Sequence, residues 1–443
     1  MDKKRGKAWI ISVDMGYGHD RAAFPLKDIA YRRIITANND RIIPKKEQKA
    51  WHKARRFYEN VSRLKKMPVL GRFLFGIYDR LQKISPFFPF RDLSKSNWVV
   101  MYLKSRIGGG FGSSLVDYIK TARLPIITTH WLPALIADYN GLKDIYLIVT
   151  DADCNRVWVS HDPKNSNIDY IAPCNHVLMR LKQYGVPEDN IHLMGFPLPK
   201  ENLGKNLQIL KKDLSARMKN LDPNKAFISK YSGHIRSKLG RYFNIKPKRP
   251  LTLAYMVGGA GAEKELGIEI VKSLKSKIQK GKIAVNLVAG SRLDVLSYFK
   301  EKLKKEKLSR LVGNGVDIIY TLGRNYYFQK INELLRTTDI IWTKPSELSF
   351  YCALGLPVII APPVGAHEEE NKRWLERTGA GFVQGEPKYT DEWLFYWIYE
   401  GRFAEAAWNG FIDARKKGTY DIEKLIRLNQ QYLNTNPRYK GQL

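Results

Sequence analysis

Cysteine is scarce in this sequence: Cys154, Cys174 and Cys352 are the three cysteines among 443 residues. Their spacing contains no CxxC pair, which excludes a disulfide framework or a cysteine-based zinc site as the basis of the fold. Long apolar runs are also missing, since no stretch approaches the roughly 18 residues of a membrane-spanning helix. The sequence therefore predicts a cytoplasmic protein that does not cross a membrane.

Acidic residues are few: 43 Asp and Glu stand against 75 Lys and Arg, a formal net charge of +32. Two segments carry most of this excess, residues 41–107 with +13 and residues 205–249 with +11. In residues 41–107 the charges alternate with large aromatic side chains. That pattern is typical of a surface that binds anionic lipid, and equally of amphipathic helices packed on a core. No nucleic-acid-binding motif is present, so nucleic acid is not the predicted partner.

Short apolar runs alternate with helix-like stretches in both halves of the chain. Continuously apolar strands separated by helices predict parallel sheets covered on both faces, an α/β fold. We expect two doubly wound, Rossmann-like domains that face a central cleft, with ligands beyond the carboxyl ends of the strands. The predicted strands are AWIISV, LPIITT, IYLIVT and IDYIAP in the first half, and LTLAYMV, IAVNLVAG, VDIIYTL, TDIIWT, LPVIIAPP and GAGFV in the second.

Charge and punctuation divide the chain into four predicted parts. Residues 1–204 form an N-terminal domain with the basic aromatic insert 41–107. Residues 205–249 are a basic linker region that ends in prolines. Residues 250–420 form a C-terminal domain, and residues 421–443 form a C-terminal helix that could pack back on the N-terminal domain.

The stretch VDMGYGHDRAA, residues 13–23, follows the first predicted strand. Gly16 and Gly18 predict a tight turn, and a helix is predicted from Arg21 onward. The dinucleotide fingerprint would need a third glycine where Arg21 stands, so His19 occupies the place of a cofactor phosphate. A histidine here can accept a hydroxyl proton at neutral pH, or it satisfies backbone groups at the start of the helix.

Polar groups follow several other predicted strands. Asp151 ends an apolar strand, where it either orients His19 or an acceptor, or caps a helix. In the second half, glycines that permit close approach of a diphosphate follow the first strand, and hydroxyl and amine groups follow two later ones. These candidate anion-binding residues are Gly258, Gly259, Gly261, Ser291, Lys344 and Ser346.

Four stretches carry a resemblance to a known family. They are GYGH at residues 16–19, PIITTHWLPA at 125–134, the segment 148–198 that begins IVTDADCNRVWV, and the segment 339–382 that begins DIIWTKPSELSF. In this order they resemble GT-B glycosyltransferases, specifically the group of monogalactosyldiacylglycerol synthase and diacylglycerol glucosyltransferase, with MurG more distant.

The resemblance implies a metal-independent hexosyltransferase, with residues 1–204 as the domain on the acceptor and membrane side and residues 250–420 as the domain that binds a nucleotide-sugar. Such an enzyme moves a sugar from a nucleotide-sugar, expected to be a UDP-sugar, to a lipid-linked hydroxyl such as that of diacylglycerol. The nucleotide-sugar is a co-substrate, and no further cofactor is implied. The expected location is peripheral, on the inner face of an anionic membrane. Asp151-Ala152-Asp153 has the spelling of a metal-binding motif, but the resemblance assigns this segment a different role.

The resemblance also implies roles for individual residues. Phe350 stands where the family has a ribose-binding Glu, and Glu347, one turn earlier, could take its place. His367 replaces a family Gln, and Asn155 replaces a family His. The implied catalytic residues are His19 and Asp151, the acceptor-side residues are Gly16, Gly18, His130 and Trp158, and the donor-side residues are Glu347, His367, Glu368 and Asn371 together with the anion-binding residues above.

Two other functions stay open at this point. A nucleotide-sugar epimerase of the same fold would work in solution and would not need the basic aromatic insert. A catalytically lapsed protein that binds anionic lipid or nucleic acid would explain both Phe350 and the large positive charge.

Overall fold

The structure, a computed structural model, describes residues 6–51, 84–259, 261 and 263–435. Residues 52–83 of the predicted basic aromatic insert lie outside the described residues. The chain divides into two compact units. The first comprises Met1–Leu198, Val364–Glu370 and Lys417–Leu443, and the second comprises Pro199–Pro363 and Asn371–Lys416.

The first unit contains a parallel sheet of six strands in the order β2-β1-β3-β4-β5-β6. The strands are β1 (Ala8–Ser12), β2 (Ala30–Thr36), β3 (Ile126–Thr128), β4 (Ile145–Ile148), β5 (Ile168–Ala172) and β6 (Ile191–Leu193). The strand order reverses between β1 and β3, because β2 lies on one side of β1 and the later strands lie on the other. Doubly wound sheets bind ligands at such a reversal point.

The second unit contains a parallel sheet of six strands in the order β12-β11-β10-β7-β8-β9. The strands are β7 (Leu251–Met256), β8 (Ile283–Gly290), β9 (Val316–Tyr320), β10 (Ile340–Thr343), β11 (Val358–Ile360) and β12 (Gly381–Val383). Their reversal point lies between β7 and β10. The two sheets confirm the predicted α/β fold of two doubly wound domains.

Helices connect the strands in both units. The α-helices of the first unit are Gly18–Ala23, Trp98–Gly108, Ser113–Ile119, Trp131–Tyr139, Asn175–Gln183 and Gly418–Thr435, with residues 45–51 also helical. Those of the second are Lys200–Leu203, Gln208–Leu221, Ile228–Leu239, Lys264–Ser273, Lys275–Gln279, Leu293–Lys305, Arg324–Thr337, Thr390–Tyr399 and Arg402–Asp413. Ala366–Arg377 begins in the first unit and ends in the second. No helix of the described residues is long and apolar enough to cross a bilayer.

Both faces of the first sheet are covered, which explains why β1 is apolar from Ala8 to Ile11. Trp9 and Ile11 of β1 face one hydrophobic cluster, while Ala8 and Ile10 face another. Alternate side chains of a strand point to opposite faces, so a strand buried on both sides has no polar face to show in its sequence. The C-terminal helix Gly418–Thr435 covers the second face.

Two strands of the first unit, β2 and β6, were not predicted. Both lie at the edges of their sheet. In β2, Arg32 and Arg33 are exposed, and Arg32 has a left-handed φ of 61° beside an irregularity in the pairing with β1. The two arginines interrupt the apolar residues of β2, and β6 has only three residues with His192 in the middle, so neither strand contains the continuous apolar run on which the prediction relied.

The predicted linker, residues 205–249, lies in the second unit and is largely helical. The helix Gln208–Leu221 buries Leu210, Leu214, Met218 and Leu221, a spacing that places them on one helix face. Its lysines lie between these buried positions, whereas Arg217 is itself buried.

The C-terminal helix contacts the N-terminal part of the chain within the first unit. Thr419 donates a hydrogen bond through Oγ1 to the carbonyl of Leu198 over 2.5 Å. Gln430 accepts from the backbone N–H of Lys7 at 2.9 Å and donates to its carbonyl at 2.6 Å.

Candidate active site

The loops after β1 and β3 bring two histidines together in the first unit. Gly16, in the first loop, has a φ of +108°, which a side chain would strain. The helix Gly18–Ala23 begins earlier than the predicted start at Arg21, so His19 lies in its first turn. The rings of His19 and His130 meet edge to face with centroids 4.8 Å apart.

The orientation of His19 is fixed by a backbone carbonyl. Its Nδ1 lies 2.6 Å from the carbonyl oxygen of Thr129, directly after β3. Because a carbonyl only accepts, Nδ1 carries the proton in the neutral ring and the lone pair is on Nε2. His19 can therefore take up a proton at Nε2 while Nδ1 keeps its hydrogen bond.

His130 has a different environment from His19. It is buried at the start of the helix Trp131–Tyr139, where its Nδ1 accepts a hydrogen bond from the N–H of Leu132 at 3.1 Å. Burial, and then the proximity of His19, hold the pKa of His130 well below its usual range. His130 is therefore neutral near pH 7, and it forms part of the aromatic surroundings of His19.

A cavity of about 430 Å³ in the first unit brings several predicted residues together. His19, His130, Asp151, Trp158 and His367 all line it. Most of the other lining residues are apolar or aromatic. The lining also contains Asp153, Cys154 and Asn155, which were named from the sequence without a predicted role in binding. The lining residues that were not singled out are Met15, Ala50, Trp51, Ile84, Tyr102, Leu103, Arg106, Phe111, Trp131 and Leu132. An apolar cavity of this size suits a ligand with an apolar body.

Asp153, beside the predicted Asp151, belongs to a buried ion pair. Its carboxylate accepts from Nε and Nη2 of Arg180, each at 2.8 Å, and lies 2.9 Å from Nε2 of His176. Burial would raise the pKa of the Asp153 carboxyl, but the hydrogen bonds from His176 and Arg180 outweigh it and lower that pKa. Asp153, His176 and Glu370 bring potential metal-ligand atoms within 4.8 Å of one another. A cation there would compete with the Arg180 guanidinium for both Asp153 oxygens.

In the second unit, the predicted glycines follow β7. Gly261 has a φ of +70°, and a Cβ atom there would lie 3.0 Å from Nε of Arg292. Nη1 of Arg292 donates to the carbonyl of Gly259 at 3.1 Å, and the guanidinium also pairs with Asp294. Gly258 lies at the start of this turn, where a Cβ would meet no atom within 4 Å. Arg292 follows the predicted Ser291 after β8 and was not singled out from the sequence.

The loop after β10 lies beside the end of β7. Thr343 donates through Oγ1 to the carbonyl of Met256 at 3.2 Å, which joins the carboxyl ends of the two strands. Lys344 follows directly and is partly exposed. Ser346 precedes the 3₁₀ helix Glu347–Leu354, but its side chain makes no capping hydrogen bond. The glycine turn and Lys344 thus lie at the reversal point of the second sheet, where an anion is expected to bind.

Phe350 is a core residue in this structure. It is buried, and its ring lies 4.9 Å from that of Trp374. Residues three apart in a 3₁₀ helix are aligned, so Glu347 lies on the same side of the helix as Phe350. Glu347 is itself buried at 8% exposure. Its predicted contact with a ribose stays a prediction.

The segment GAHEEEN is divided between the two units. His367 and Glu368 belong to the first unit, and Asn371 belongs to the second. Glu368 accepts the N–H of Val364 at 2.6 Å, which closes the turn before the helix Ala366–Arg377. Asn371 is fully buried, and its Nδ2 donates to the carbonyl of Pro345 at 3.4 Å. Both side chains have structural contacts, and their predicted sugar contacts stay predictions.

Comparison with known proteins identifies relatives of this chain. A processive diacylglycerol β-glucosyltransferase of Bacillus subtilis is 26% identical over 240 residues, which cover 53% of this chain and 50% of the relative. The chain is similar to diacylglycerol glucosyltransferases. A second such relative, from Bacillus licheniformis, is 23% identical over 280 residues, 61% of this chain and 60% of the relative. These relatives confirm the resemblance that the four motifs indicated, and the chain spans about half the length of the curated relatives it matches.

Solved structures with a similar course of the chain are more distant. MurG of Acinetobacter baumannii matches with a TM-score of 0.47 and 11% identity over 95% of this chain and 99% of that one. MnaA of S. aureus, solved with UDP, matches with a TM-score of 0.45 and 12% identity over 76% of this chain and 83% of that one. At these values no function is transferred from either structure. No family model matches the chain.

Proposed function

We propose that this protein is a glycosyltransferase of the GT-B type that moves a hexose from a UDP-sugar to a lipid hydroxyl such as that of diacylglycerol, a step of glycolipid synthesis. The observation that carries the proposal is the position of His19. It lies at the reversal point of the first sheet, inside an apolar cavity, with Nδ1 held by Thr129. The similarity to diacylglycerol glucosyltransferases supports the choice of acceptor.

In the proposed reaction the acceptor hydroxyl oxygen forms a bond to the anomeric carbon of the sugar. The bond from that carbon to the diphosphate oxygen breaks, and the hydroxyl proton moves to Nε2 of His19. The Nδ1–H hydrogen bond to Thr129 stabilises the imidazolium that forms. Asp151, in the same cavity, would orient the acceptor or His19. The two products are the glycolipid and UDP, and the step needs no metal ion.

The donor is assigned to the second unit. The turn Gly258–Gly261 allows a diphosphate to approach the backbone, and Lys344 at the end of β10 supplies a positive charge. Such fixed charge stabilises the diphosphate as negative charge develops on it. Ser291 and Ser346 lie after the neighbouring strand ends and are the proposed hydrogen-bond donors.

Calorimetric titration with UDP tests the donor assignment. We expect saturable binding of UDP and at least tenfold weaker binding of GDP and ADP. Because a hydrogen bond to a charged group contributes about 1.5–3 kcal/mol, Lys344→Ala should weaken UDP binding by about tenfold or more. Lys305→Ala, which removes an exposed lysine of the same unit, is the control and should bind UDP as the unchanged protein does. If none of the three nucleotides binds, the donor site is lost and a lapsed lipid-binding protein becomes the better hypothesis.

An exposed aromatic surface in the first unit supports action at a membrane. We call Phe88, Phe90, Trp98, Met101 and Tyr102 the aromatic face; each of these side chains is at least half exposed. Arg91, Lys95, Lys104 and Arg106 alternate with these residues along the chain. Exposed aromatic groups among basic ones suit the interface of an anionic bilayer.

The helical part of the aromatic face adjoins the His19 cavity. Tyr102 belongs to both, and Arg106, one turn further along the helix Trp98–Gly108, lines the cavity. A lipid bound at this helix would therefore lie next to the cavity that His19 lines. The proposed location is peripheral, on the anionic inner face of the cytoplasmic membrane.

Flotation with liposomes tests this location. We expect the protein to float with vesicles that contain phosphatidylglycerol at low salt and to float less at high salt, where charges are screened. The double variant Phe88→Ser, Trp98→Ser should reduce the bound fraction at least tenfold, since insertion of each aromatic group contributes about 1.5–3 kcal/mol. The control is the double variant Leu322→Ser, Tyr326→Ser, which removes two side chains of similar exposure from the second unit. This variant should float with the vesicles as the unchanged protein does. Equal flotation of both double variants would contradict the assignment of the aromatic face.

A further inference from the structure

A second cavity of about 540 Å³ lies in the first unit, at the amino ends of strands β3 and β4. His19 lies at the other end of this sheet, beyond the carboxyl ends of the strands. The lining of the second cavity includes Ile126, where β3 begins, and Asp144, which directly precedes β4. His19 and His130 instead follow the carboxyl ends of β1 and β3. Ile126 and His130 are about 13 Å apart along an extended chain, so this second cavity is a separate site.

Three basic residues, all of them exposed, are part of the lining of the second cavity. Lys120 and Arg123 lie between the helix Ser113–Ile119 and β3, and Lys143 lies between the helix Trp131–Tyr139 and β4. Asp144 is the one acidic residue of its lining. The cations therefore exceed the acid by two charges, which favours an anionic ligand.

The acidic residue is held in place by its own contacts. The backbone of Asp144 has a left-handed φ of 55°, and its carbonyl accepts the N–H of Ile126 at 2.9 Å. Its Oδ1 accepts from Nδ2 of Asn429 at 3.1 Å, and the same amide lies 3.0 Å from the hydroxyl of Tyr146. Asn429 belongs to the C-terminal helix, so that helix forms one wall of the cavity.

The rest of the lining is mainly apolar. Ile119, Ala122, Leu124, Ile126 and Leu142 contribute it. A ligand that fits both parts has an anionic group for the three cations and an apolar body for the remaining surface. Arg and Lys together recognise phosphate through charge-assisted hydrogen bonds.

We propose that this second cavity binds a phosphate group carried on an apolar body. The two sources of such a group are a free phosphate compound and a phosphorylated lipid. The proposal does not depend on the function proposed above. The second cavity lies at the amino ends of the strands and contains none of the residues that were assigned to sugar transfer.

Calorimetric titration with two probes tests the proposal and separates the two sources. The probes are inorganic phosphate and octyl phosphate below its micelle concentration, with octyl glucoside as the uncharged comparison. We expect saturable binding of octyl phosphate and at least tenfold weaker binding of octyl glucoside. Octyl phosphate of at least tenfold higher affinity than inorganic phosphate would indicate a lipid and would support the proposal. Inorganic phosphate of equal affinity would indicate a site for free phosphate alone, which would contradict the proposed apolar body.

Two variants locate the binding. Lys120→Gln, Arg123→Gln, Lys143→Gln should weaken octyl phosphate binding at least tenfold. Ala122→Phe, which fills the cavity without a change of charge, should also weaken it and keep the carbonyl of Ala122 that accepts from Trp9 at 2.9 Å. The control is a triple variant of the second unit that removes three exposed charges and should bind octyl phosphate normally: Lys280→Gln, Lys304→Gln, Lys305→Gln. Absence of phosphate binding, or equal binding by the two triple variants, would overturn the proposal.

Discussion

His19→Ala should reduce lipid-dependent UDP release by about 10²–10⁴-fold, the usual contribution of a general base. The reason is that Nε2 of His19 is the proposed proton acceptor. The neighbouring His130 is not expected to replace it, because His130 is buried, its pKa is lowered, and its Nδ1 already accepts a hydrogen bond from the N–H of Leu132. UDP binding should stay within about twofold of normal, because the donor is assigned to the second unit. A coupled assay of UDP release, with calorimetry for UDP, measures both quantities.

Two controls separate chemistry from folding in this experiment. His19→Asn retains an amide that can donate to the carbonyl of Thr129 but has no basic nitrogen, so it should be nearly as inactive as His19→Ala. His192→Ala removes a histidine of the same unit that pairs with Asp169 at 3.1 Å outside the cavity, and it should retain activity. Normal turnover by His19→Ala, at an unchanged unfolding temperature, would remove His19 from the mechanism.

Arg217→Met should lower the free energy of unfolding of the second unit by about 3–5 kcal/mol. The guanidinium is fully buried and donates to the carbonyls of Thr338 at 2.8 Å, Leu354 at 2.7 Å and Leu335 at 3.0 Å. Burial lowers the pKa of Arg217 to about 10, so it stays charged at neutral pH. Methionine fills similar space but leaves these buried carbonyls without donors.

Thermal unfolding measures this loss, which corresponds to a fall of roughly 10 °C for a unit of this size. Arg336→Met is the matched control, because Arg336 is 40% exposed and pairs with Asp213 at 2.9 Å at the surface. Exposed pairs contribute about 0–1 kcal/mol, so this control should shift the midpoint by only a few degrees. An Arg217→Met protein as stable as the Arg336→Met protein would show that the buried guanidinium does not hold the unit together.

The strands that could be predicted are those whose sequence is mainly apolar. All six strands of the second sheet and four of the first lie within the predicted runs. The unpredicted strands, β2 and β6, are edge strands, and exposure of Arg32 and Arg33 breaks the apolar pattern of β2. Burial on both faces makes a strand visible in a sequence. The edge strands β9 and β12 of the second sheet were still predicted, because the runs VDIIYTL and GAGFV that contain them are largely apolar.

The low aromatic content of residues 205–249 and the prolines at their end predicted a linker region. Within this segment the helix Gln208–Leu221 buries Leu210, Leu214 and Leu221. The segment also contains Arg217, whose partners are backbone carbonyls that lie far away in the sequence. No sequence pattern marks a cation that binds carbonyls, so this residue could not have been predicted as part of the core.

The candidate site could be predicted where a residue follows the end of a strand. His19, His130 and Asp151 follow β1, β3 and β4, and they line one cavity. The hydrogen bond of His19 to Thr129 joins residues 110 positions apart, and the place of His367 beside this cavity depends on a distant segment of the chain. Such contacts depend on the packing of the unit and cannot be deduced from local spacing.

Release of UDP from a panel of UDP-hexoses, with and without diacylglycerol in mixed micelles, is the most direct test of the proposed transferase. We expect at least one UDP-hexose to release UDP only when diacylglycerol is present, with a hexosyl lipid as the second product. UDP release from none of the sugars in the presence of diacylglycerol, by a protein that still binds UDP, would contradict a diacylglycerol transferase. Conversion of a UDP-sugar to its epimer without lipid would instead identify an epimerase.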